Sequence, residues 1–201
     1  MTEIIYRIGD VTTADLPVTA DGPNVVIAHV VNDVGRWGAG FTAALDRRWC
    51  GARTGYMDWA RGSATGWPWL NQSSAPTLQL GNIRQQFTTP EPVGHRVTPM
   101  RLHDGLFLAD VTLIHMCAQH GVRAPGNQTP IVYDALATCL DKVAACVVAC
   151  SRAAGRAYEI RMPRIGCGLA GGTWDRVEPL VRAAADKHGV QFVVYDLFGA
   201  N

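Results

Sequence analysis

The chain has 201 residues, a formal net charge of +1 and a sequence pI of about 7.7. Its length suits one domain of ordinary size, residues 1–201, and its 48% hydrophobic and 17% charged residues exclude an intrinsically disordered chain. The near-neutral charge provides no general attraction for nucleic acid or for an anionic membrane. We therefore expect no direct sequence-specific nucleic-acid binding and no membrane binding, so that an anionic partner needs a local site.

The cysteine spacing argues against metal or redox chemistry. None of the six cysteines forms a Cys-x-x-Cys pair, so the common zinc and thioredoxin spacings are absent. We expect no metal site and no cofactor. The N-terminus shows no basic-then-apolar signal and no run is long enough to span a membrane, so we expect a cytoplasmic protein.

Apolar periodicity predicts strands that alternate with helices. In chain order, the predicted strands are 4–8, 25–31, 77–80, 106–116, 159–162 and 191–195, and the predicted helices are 41–49, 56–61, 131–152 and 174–188. Segments 62–76 and 84–104 lack a period and are predicted as loop insertions, the second being a surface excursion rich in proline. This alternation predicts a three-layer α/β/α domain with a central mixed, mostly parallel sheet.

Two glycine-rich turns follow apolar strands and lead into helices. Loop one (residues 32–40) follows the strand 25–31, and loop two (residues 166–172) follows the strand near 159–162. Glycine lets the main chain approach a ligand closely, and N–H groups at a helix N-terminus attract anions. The two loops therefore predict phosphate-binding turns on either side of a cleft that holds a diphosphate.

Four segments in this order resemble the macrodomain family, the ADP-ribose-binding α/β module. They are Gly9-Asp10-Val11-Thr12, His29-Val30-Val31-Asn32 with Trp37-Gly38-Ala39-Gly40, Met162 to Leu169, and Val193 to Leu197. The branch that the chain resembles most contains the terminal ADP-ribose protein glycohydrolases and the ADP-ribose-1″-phosphate phosphatases. The resemblance implies that the partner is ADP-ribose or an ADP-ribosylated macromolecule.

The resemblance also implies how the ligand lies. Asp10 would accept the adenine amino group, Tyr195 would offer a face for the base, and the Asn32 amide would bind the distal ribose. Without the resemblance, Asp10 is a turn cap, Asn32 a turn former and Tyr195 an ordinary sheet aromatic. Trp37 is predicted to wall the distal ribose, although a core position is almost as compatible with the sequence. The ligand-binding residues implied are Asp10, Val11, Asn32, Trp37, Gly38, Ala39, Gly40, Gln119, Arg164, Ile165, Gly166, Cys167, Gly168, Leu169, Ala170, Tyr195 and Leu197.

The sequence departs from this branch at two positions that bear on hydrolysis. Gln119 stands where the glycohydrolases have a lysine, and Ala170 stands where they have an aspartate. The remaining candidate catalytic residues are Asp33 and His120, either of which could activate a water molecule. The alternative is that Asp33 stabilises a turn and His120 is a solvated loop residue.

Three functional classes follow from these observations. The first is a hydrolase of ADP-ribosyl derivatives, and the second is a non-catalytic reader that only binds ADP-ribose. A nicotinamide-dependent oxidoreductase is disfavoured because no Gly-x-Gly-x-x-Gly follows the first strand. Cys167 is interpreted as a small packing residue, and His103 and His115 as structural residues.

Overall fold

The computed structural model describes residues 2–13, 24–49, 51–64, 76–88, 111–123, 128–155 and 157–197. The strands are β1 (Ile5–Ile8), β2 (Asn24–Asn32), β3 (Ile83–Thr88), β4 (Val111–Gln119), β5 (Tyr158–Pro163) and β6 (Phe192–Asp196). The helices are α1 (Phe41–Arg48), α2 (Gly51–Ala60), α3 (Tyr133–Ala154) and α4 (Trp174–His188).

The strands form one sheet in the order β1-β6-β5-β2-β4-β3. Every neighbouring pair is parallel except β3 with β4, which is antiparallel at the sheet edge. The predicted mixed, mostly parallel sheet is thus confirmed. β2 lies between β5 and β4, and its residues Val25, Val26, Ile27 and Ala28 are all buried. Its continuous apolar run reflects cover on both faces of the sheet.

Helices cover both faces of the sheet, as the three-layer prediction requires. Leu136 of α3 and Val181 of α4 share one buried cluster with Val26 of β2. Leu45 of α1 lies in a second cluster with Ile27, whose side chain points to the opposite face. The helices α1 and α2 therefore lie on the other side of the sheet from α3 and α4.

Two predictions of local structure were wrong. The segment 77–80 is irregular and forms no strand: Leu78 and Leu80 both pack beside Tyr56 and Trp59, which explains the alternation, but the segment is not part of the described sheet. The start of the predicted excursion 84–104 is not a loop either, since residues 84–88 belong to β3. Its polar residues are tolerated because β3 is an edge strand.

Other boundaries moved by a few residues. α2 begins at Gly51, five residues before the predicted start, and β4 ends at Gln119, three residues beyond the predicted end. Residues 65–75 and 89–110 lie outside the described part of the chain, and so do most of both predicted insertions and His103. No helix within the described ranges is long and apolar enough to cross a membrane.

The topology creates a crevice where β2 and β5 end side by side. Loop one leads from β2 into α1 on one face of the sheet, and loop two leads from β5 into α4 on the other face. Adjacent strands whose connections leave toward opposite faces open a crevice at their carboxyl ends, the usual place for ligands in α/β sheets.

Candidate functional site

Loop one and loop two meet across this crevice. A Cβ atom placed on Gly40 would lie 3.3 Å from Leu169 Cδ1, so the two loops are in contact at this point. Gly38 and Gly40 have φ angles of 110° and 61°, which other residues rarely adopt. The fold thus brings together two glycine-rich turns that are more than 120 residues apart in the sequence. Their proximity agrees with the predicted cleft.

Several main-chain N–H groups of the two loops are unpaired. Within the described ranges, the amides of Ala39, Gly40, Gly168 and Leu169 donate no hydrogen bond. The α1 helix also begins without a side-chain cap. Loop two is held in shape by the bonds of its last two amides, which reach carbonyls within the loop at 2.8 and 2.9 Å. Free donors on a fixed backbone are suited to bind an anion.

Asp10 lies just after β1, where its carboxylate stabilises a turn of the main chain. Asp10 Oδ1 accepts hydrogen bonds from the main-chain N–H and from the hydroxyl of Thr12, both at 2.8 Å. The N–H of Gly9 donates to the carbonyl of Asp196 at 2.8 Å, which fixes this turn to the end of β6. The second oxygen, Oδ2, has no partner in the described residues. Both interpretations of Asp10 are therefore compatible with its position, and its contact with adenine stays a prediction.

Tyr195 and Val11 are largely inside the protein. Tyr195 is 5% exposed, and its hydroxyl accepts a hydrogen bond from Arg7 at 3.3 Å. Val11 is 2% exposed and packs in the same cluster. Tyr195 therefore has the surroundings of an ordinary sheet aromatic. In contrast to these two buried residues, Leu197, which follows β6, and Leu169 in loop two have exposed apolar side chains.

Arg164 is engaged beside loop two. Its guanidinium pairs with the carboxylate of Asp196, with Nη2 2.8 Å from Oδ2. It also lies 5.9 Å from the ring centre of Tyr6 and 5.5 Å from that of Trp174. Because Asp196 neutralises this charge, Arg164 contributes little net positive potential to the crevice. Ile165, which follows it, is buried.

The amide of Asn32 shapes loop one from within. Its Nδ2 donates to the carbonyl of Arg36 at 2.6 Å, and its Oδ1 accepts from the N–H of Arg36 at 2.9 Å. The hydroxyl of Tyr56 donates to the Asn32 carbonyl at 2.8 Å. This arrangement is the turn-forming alternative for Asn32. Tyr56 is a residue of the site that the sequence reasoning missed.

Trp37 packs into the protein wall behind loop one. Its Nε1 donates to the carboxylate of Asp46 at 2.9 Å. Its ring centre lies 5.3 Å from that of Tyr56 and 5.7 Å from that of His29. The side chain is half-buried between two apolar clusters, so it anchors loop one to the core.

Behind this wall lies a buried chain of polar groups. His29 and His115 are 1% and 0% exposed, and His29 Nε2 lies 2.6 Å from His115 Nδ1. His115 Nε2 lies 2.9 Å from Gln86 Oε1, and the Gln86 amide nitrogen donates to the carbonyl of Gly51. Burial lowers the pKa of His29 to about 3 and the pKa of His115 well below its usual value. Both imidazoles are therefore neutral, and His115 has the structural position predicted for it.

Asp33 and His120 meet at the end of the crevice nearest β4. Asp33 Oδ2 lies 2.7 Å from His120 Nδ1, and Asp33 Oδ1 accepts from the N–H of Gly121 at 2.8 Å. Burial raises the pKa of Asp33, but these bonds from Gly121 and His120 outweigh it and hold the pKa below its usual value. The structure thus joins the two candidate catalytic residues in one pair.

No ionisable side chain stands at the two positions where the branch has its lysine and aspartate. Gln119 Nε2 donates to the carbonyl of Gly121 at 2.9 Å. Ala170 is buried, and its carbonyl accepts from the N–H of Ile131 at 3.1 Å. Burial raises the pKa of the Cys167 thiol, which suits a packing role. Within the described ranges, no group of three or more His, Cys, Asp or Glu residues could hold a metal ion.

Comparison with known proteins relates the chain to solved structures only. No family model and no curated protein matches it. A protein of unknown function from Bacteroides thetaiotaomicron is 29% identical, with 98% of this chain and 99% of that chain covered and a TM-score of 0.68. A macrodomain protein from Streptomyces coelicolor is 32% identical, with 96% of this chain and 99% of that chain covered and a TM-score of 0.60.

A third structure contains a ligand. Thermosipho africanus DarTG, solved in complex with ADP-ribose, is 15% identical to this chain. The match covers 88% of this chain and 38% of that chain, with a TM-score of 0.55. At this identity the likeness is one of fold.

Proposed function

Because this chain belongs to the macrodomain family, we propose that it binds ADP-ribose in the crevice between loop one and loop two. The observation that carries the proposal is the contact between the loops, where a Cβ on Gly40 would lie 3.3 Å from Leu169 Cδ1. In this proposal, the amides of both loops that are free within the described residues surround one space beside this contact. A diphosphate in that space would be reached from both sides.

Main-chain dipoles supply most of the attraction in this proposal. The free amides of Ala39, Gly40, Gly168 and Leu169 would donate to the phosphate oxygens. Hydrogen bonds to a charged group contribute roughly 1.5–3 kcal/mol each before desolvation is subtracted. Several such bonds make micromolar affinity reasonable, since this requires about 8 kcal/mol. A protein with a net charge of +1 can therefore bind a diphosphate.

The ends of the crevice set the direction of the ligand. Asp10, with one carboxylate oxygen unpaired in the described chain, suits the adenine amino group. The distal ribose would then point to Asp33 and His120, at the end of the crevice formed by β2 and β4. The ADP-ribose complex of Thermosipho africanus DarTG, which shares the fold, supports the choice of ligand.

We further propose that the protein hydrolyses the ADP-ribosyl derivatives that it binds. Its substrate would be an ADP-ribosylated macromolecule or ADP-ribose-1″-phosphate. The paired Asp33 and His120 favour hydrolysis, because they place an ionisable couple at the end assigned to the distal ribose. Gln119 and Ala170 favour the alternative, a non-catalytic reader, since they replace the ionisable groups of the related glycohydrolases.

Calorimetric titration tests the binding proposal directly. ADP-ribose should release heat and bind at micromolar concentration, while ADP should bind more weakly because it lacks the distal ribose. NADH serves as the competitor for the disfavoured oxidoreductase class. If NADH binds tightly while ADP-ribose produces neither heat nor a rise in melting temperature, the proposed function is wrong.

A further inference from the structure

We infer that Asp33 and His120 form a carboxylate–imidazole dyad in which His120 is the general base and Asp33 is its positioning residue. The inference rests on the proposed function, because it needs the distal ribose at this end of the crevice. It goes beyond that function by giving the two residues different roles. The geometry of their four polar atoms distinguishes these roles.

Asp33 is held too firmly to act as the base itself. Its Oδ1 accepts the N–H of Gly121 at 2.8 Å, and its Oδ2 lies 2.7 Å from His120 Nδ1. The carboxylate side chain is 17% exposed. With each oxygen already in one hydrogen bond and only 17% of the side chain exposed, Asp33 offers water less access than His120, whose side chain is 75% exposed. What it can do is hold the imidazole ring in one orientation.

The same contact determines the tautomer of His120. An ionised carboxylate only accepts hydrogen bonds, so the proton between Asp33 and neutral His120 must be on Nδ1. Nε2 then carries the lone pair. It has no partner in the described part of the chain, and the His120 side chain is 75% exposed. In its neutral form, His120 therefore presents the Nε2 lone pair to solvent in a fixed direction.

Main-chain contacts connect the dyad to loop two. The N–H of His120 donates to the carbonyl of Pro130 at 2.8 Å. The next residue, Ile131, donates its N–H to Ala170 in loop two at 3.1 Å. Asp33 belongs to loop one. The dyad is thus connected to both loops, through Asp33 to loop one and through Pro130 and Ile131 to loop two.

The step that this arrangement supports is attack of water at the anomeric carbon of the distal ribose. The water oxygen forms a bond to C1″ while the bond from C1″ to the substituent oxygen breaks. The electron pair of that bond leaves with the oxygen, as a carboxylate or phosphate anion that needs no added proton. The water proton moves to His120 Nε2, the positive imidazolium is stabilised by Asp33, and solvent then removes the proton.

The rate at which the protein releases ADP-ribose from two substrates tests the role of the dyad. The substrates are a peptide ADP-ribosylated on a glutamate side chain and ADP-ribose-1″-phosphate, which distinguish the two leaving groups. His120→Ala should lower kcat about 10²- to 10⁴-fold, the usual contribution of a general base. ADP-ribose affinity should stay within a few-fold of wild type. Added imidazole should restore part of the rate, because the exposed position leaves room for it.

Asp33→Asn tests the positioning role. It should lower kcat less than His120→Ala does and leave KM within a few-fold of wild type, because the imidazole remains but its orientation is no longer fixed. A purely structural carboxylate would change stability and leave kcat as it is. His188→Gln is the matched control, since His188 of α4 is bonded to Asp141 of α3 at 2.7 Å, away from both loops. This variant should release ADP-ribose at the wild-type rate.

The possible failures are distinguishable. If wild-type protein binds ADP-ribose but releases it from neither substrate, or if His120→Ala is as fast as wild type, the dyad is overturned and the binding function stands. If wild-type protein does not bind ADP-ribose, the proposed function falls, and the dyad with it.

Discussion

The Nε2 atom of His29 lies 2.6 Å from the Nδ1 atom of His115 in the centre of the sheet. The direction of this bond follows from Gln86. Because the Gln86 amide nitrogen donates to the Gly51 carbonyl, its oxygen must accept from His115 Nε2. His115 Nδ1 is then the acceptor and His29 Nε2 the donor. Protonation of both rings would put two N–H donors on this bond and break it.

Acid should therefore destabilise the protein before its carboxylates titrate. Burial lowers the pKa of His29 to about 3 and lowers that of His115 as well, whereas both titrate near 6.5 in the unfolded chain. Below pH 6.5 the unfolded state binds more protons, so the free energy of unfolding falls as the pH falls from 6.5 toward 3. Each histidine contributes a slope of up to about 1.4 kcal/mol per pH unit. Urea unfolding between pH 5 and 7.5 measures this slope.

The double variant H29L/H115L provides the comparison for this pH slope. Leucine cannot titrate, so the slope between pH 5 and 6.5 should be much shallower even if the variant is less stable overall. The single variant H188Q, which leaves the buried pair intact, should keep the wild-type slope. Equal slopes in the wild type and the double variant would contradict the prediction.

Gly55→Ala should destabilise the protein, although alanine normally favours a helix. A Cβ on Gly55 in α2 would lie 1.9 Å from Gln86 Oε1 and 2.2 Å from its Cδ. Gln86 must then move and release its bonds to His115 and Gly51, at a cost of about 1–3 kcal/mol. Gly51→Ala is the control, since its Cβ would make an ordinary contact 3.6 Å from Gln86 Nε2. Thermal unfolding should show a loss for Gly55→Ala only, and equal melting temperatures would refute this explanation.

Gly40→Ala should weaken ADP-ribose binding about tenfold, equivalent to roughly 1.4 kcal/mol. The added methyl group is strained at φ 61° and crowds the Leu169 side chain, so the contact between loop one and loop two must rearrange. Gly155→Ala is a matched control because its φ is 62° and, among the described residues other than its chain neighbours, nothing lies within 4 Å of its Cβ position. Both variants should lose similar stability, and calorimetry should find reduced affinity in Gly40→Ala alone. Similar affinities in both would show that the loops do not hold the ligand jointly.

Asp10→Asn should reduce selectivity for adenine. Asparagine can keep the oxygen that accepts both bonds from Thr12, while the free carboxylate oxygen becomes an amide donor. Affinity for ADP-ribose should fall about tenfold, and affinity for the analogue with hypoxanthine in place of adenine should rise relative to it. Competition calorimetry with the two ligands measures this ratio. An unchanged ratio would leave Asp10 with its turn-capping role alone.

The central sheet and the two loops could be predicted because their signals are local. A continuous apolar run marks β2 as a strand covered on both faces, and the glycines of loop one mark a turn with unusual φ angles. β3 was not predicted because polar residues such as Gln85 and Gln86 interrupt its apolar pattern, which an edge strand tolerates. Its identity depends on pairing with β4, which lies beyond the reach of a periodicity argument.

For the candidate site, the positions of the two loops could be predicted from the sequence, but most contacts between its side chains could not. Trp37 donates a hydrogen bond to Asp46, and Asn32 accepts one from Tyr56. Both bonds form only when α1 and α2 pack against the sheet. Asp33 and His120 were both candidates from their positions after strands. Their bond at 2.7 Å depends on β2 and β4 being neighbours, which sequence order alone does not state.

The proposed anion site, lined by peptide N–H groups, has a consequence for divergence within the family. The side chains of Ala39 and Leu169 can be exchanged over generations without removing the amides beneath them. What must be preserved is the path of the backbone, including glycine where φ is positive. The proposed recognition of phosphates would therefore persist while most of the surrounding sequence changes.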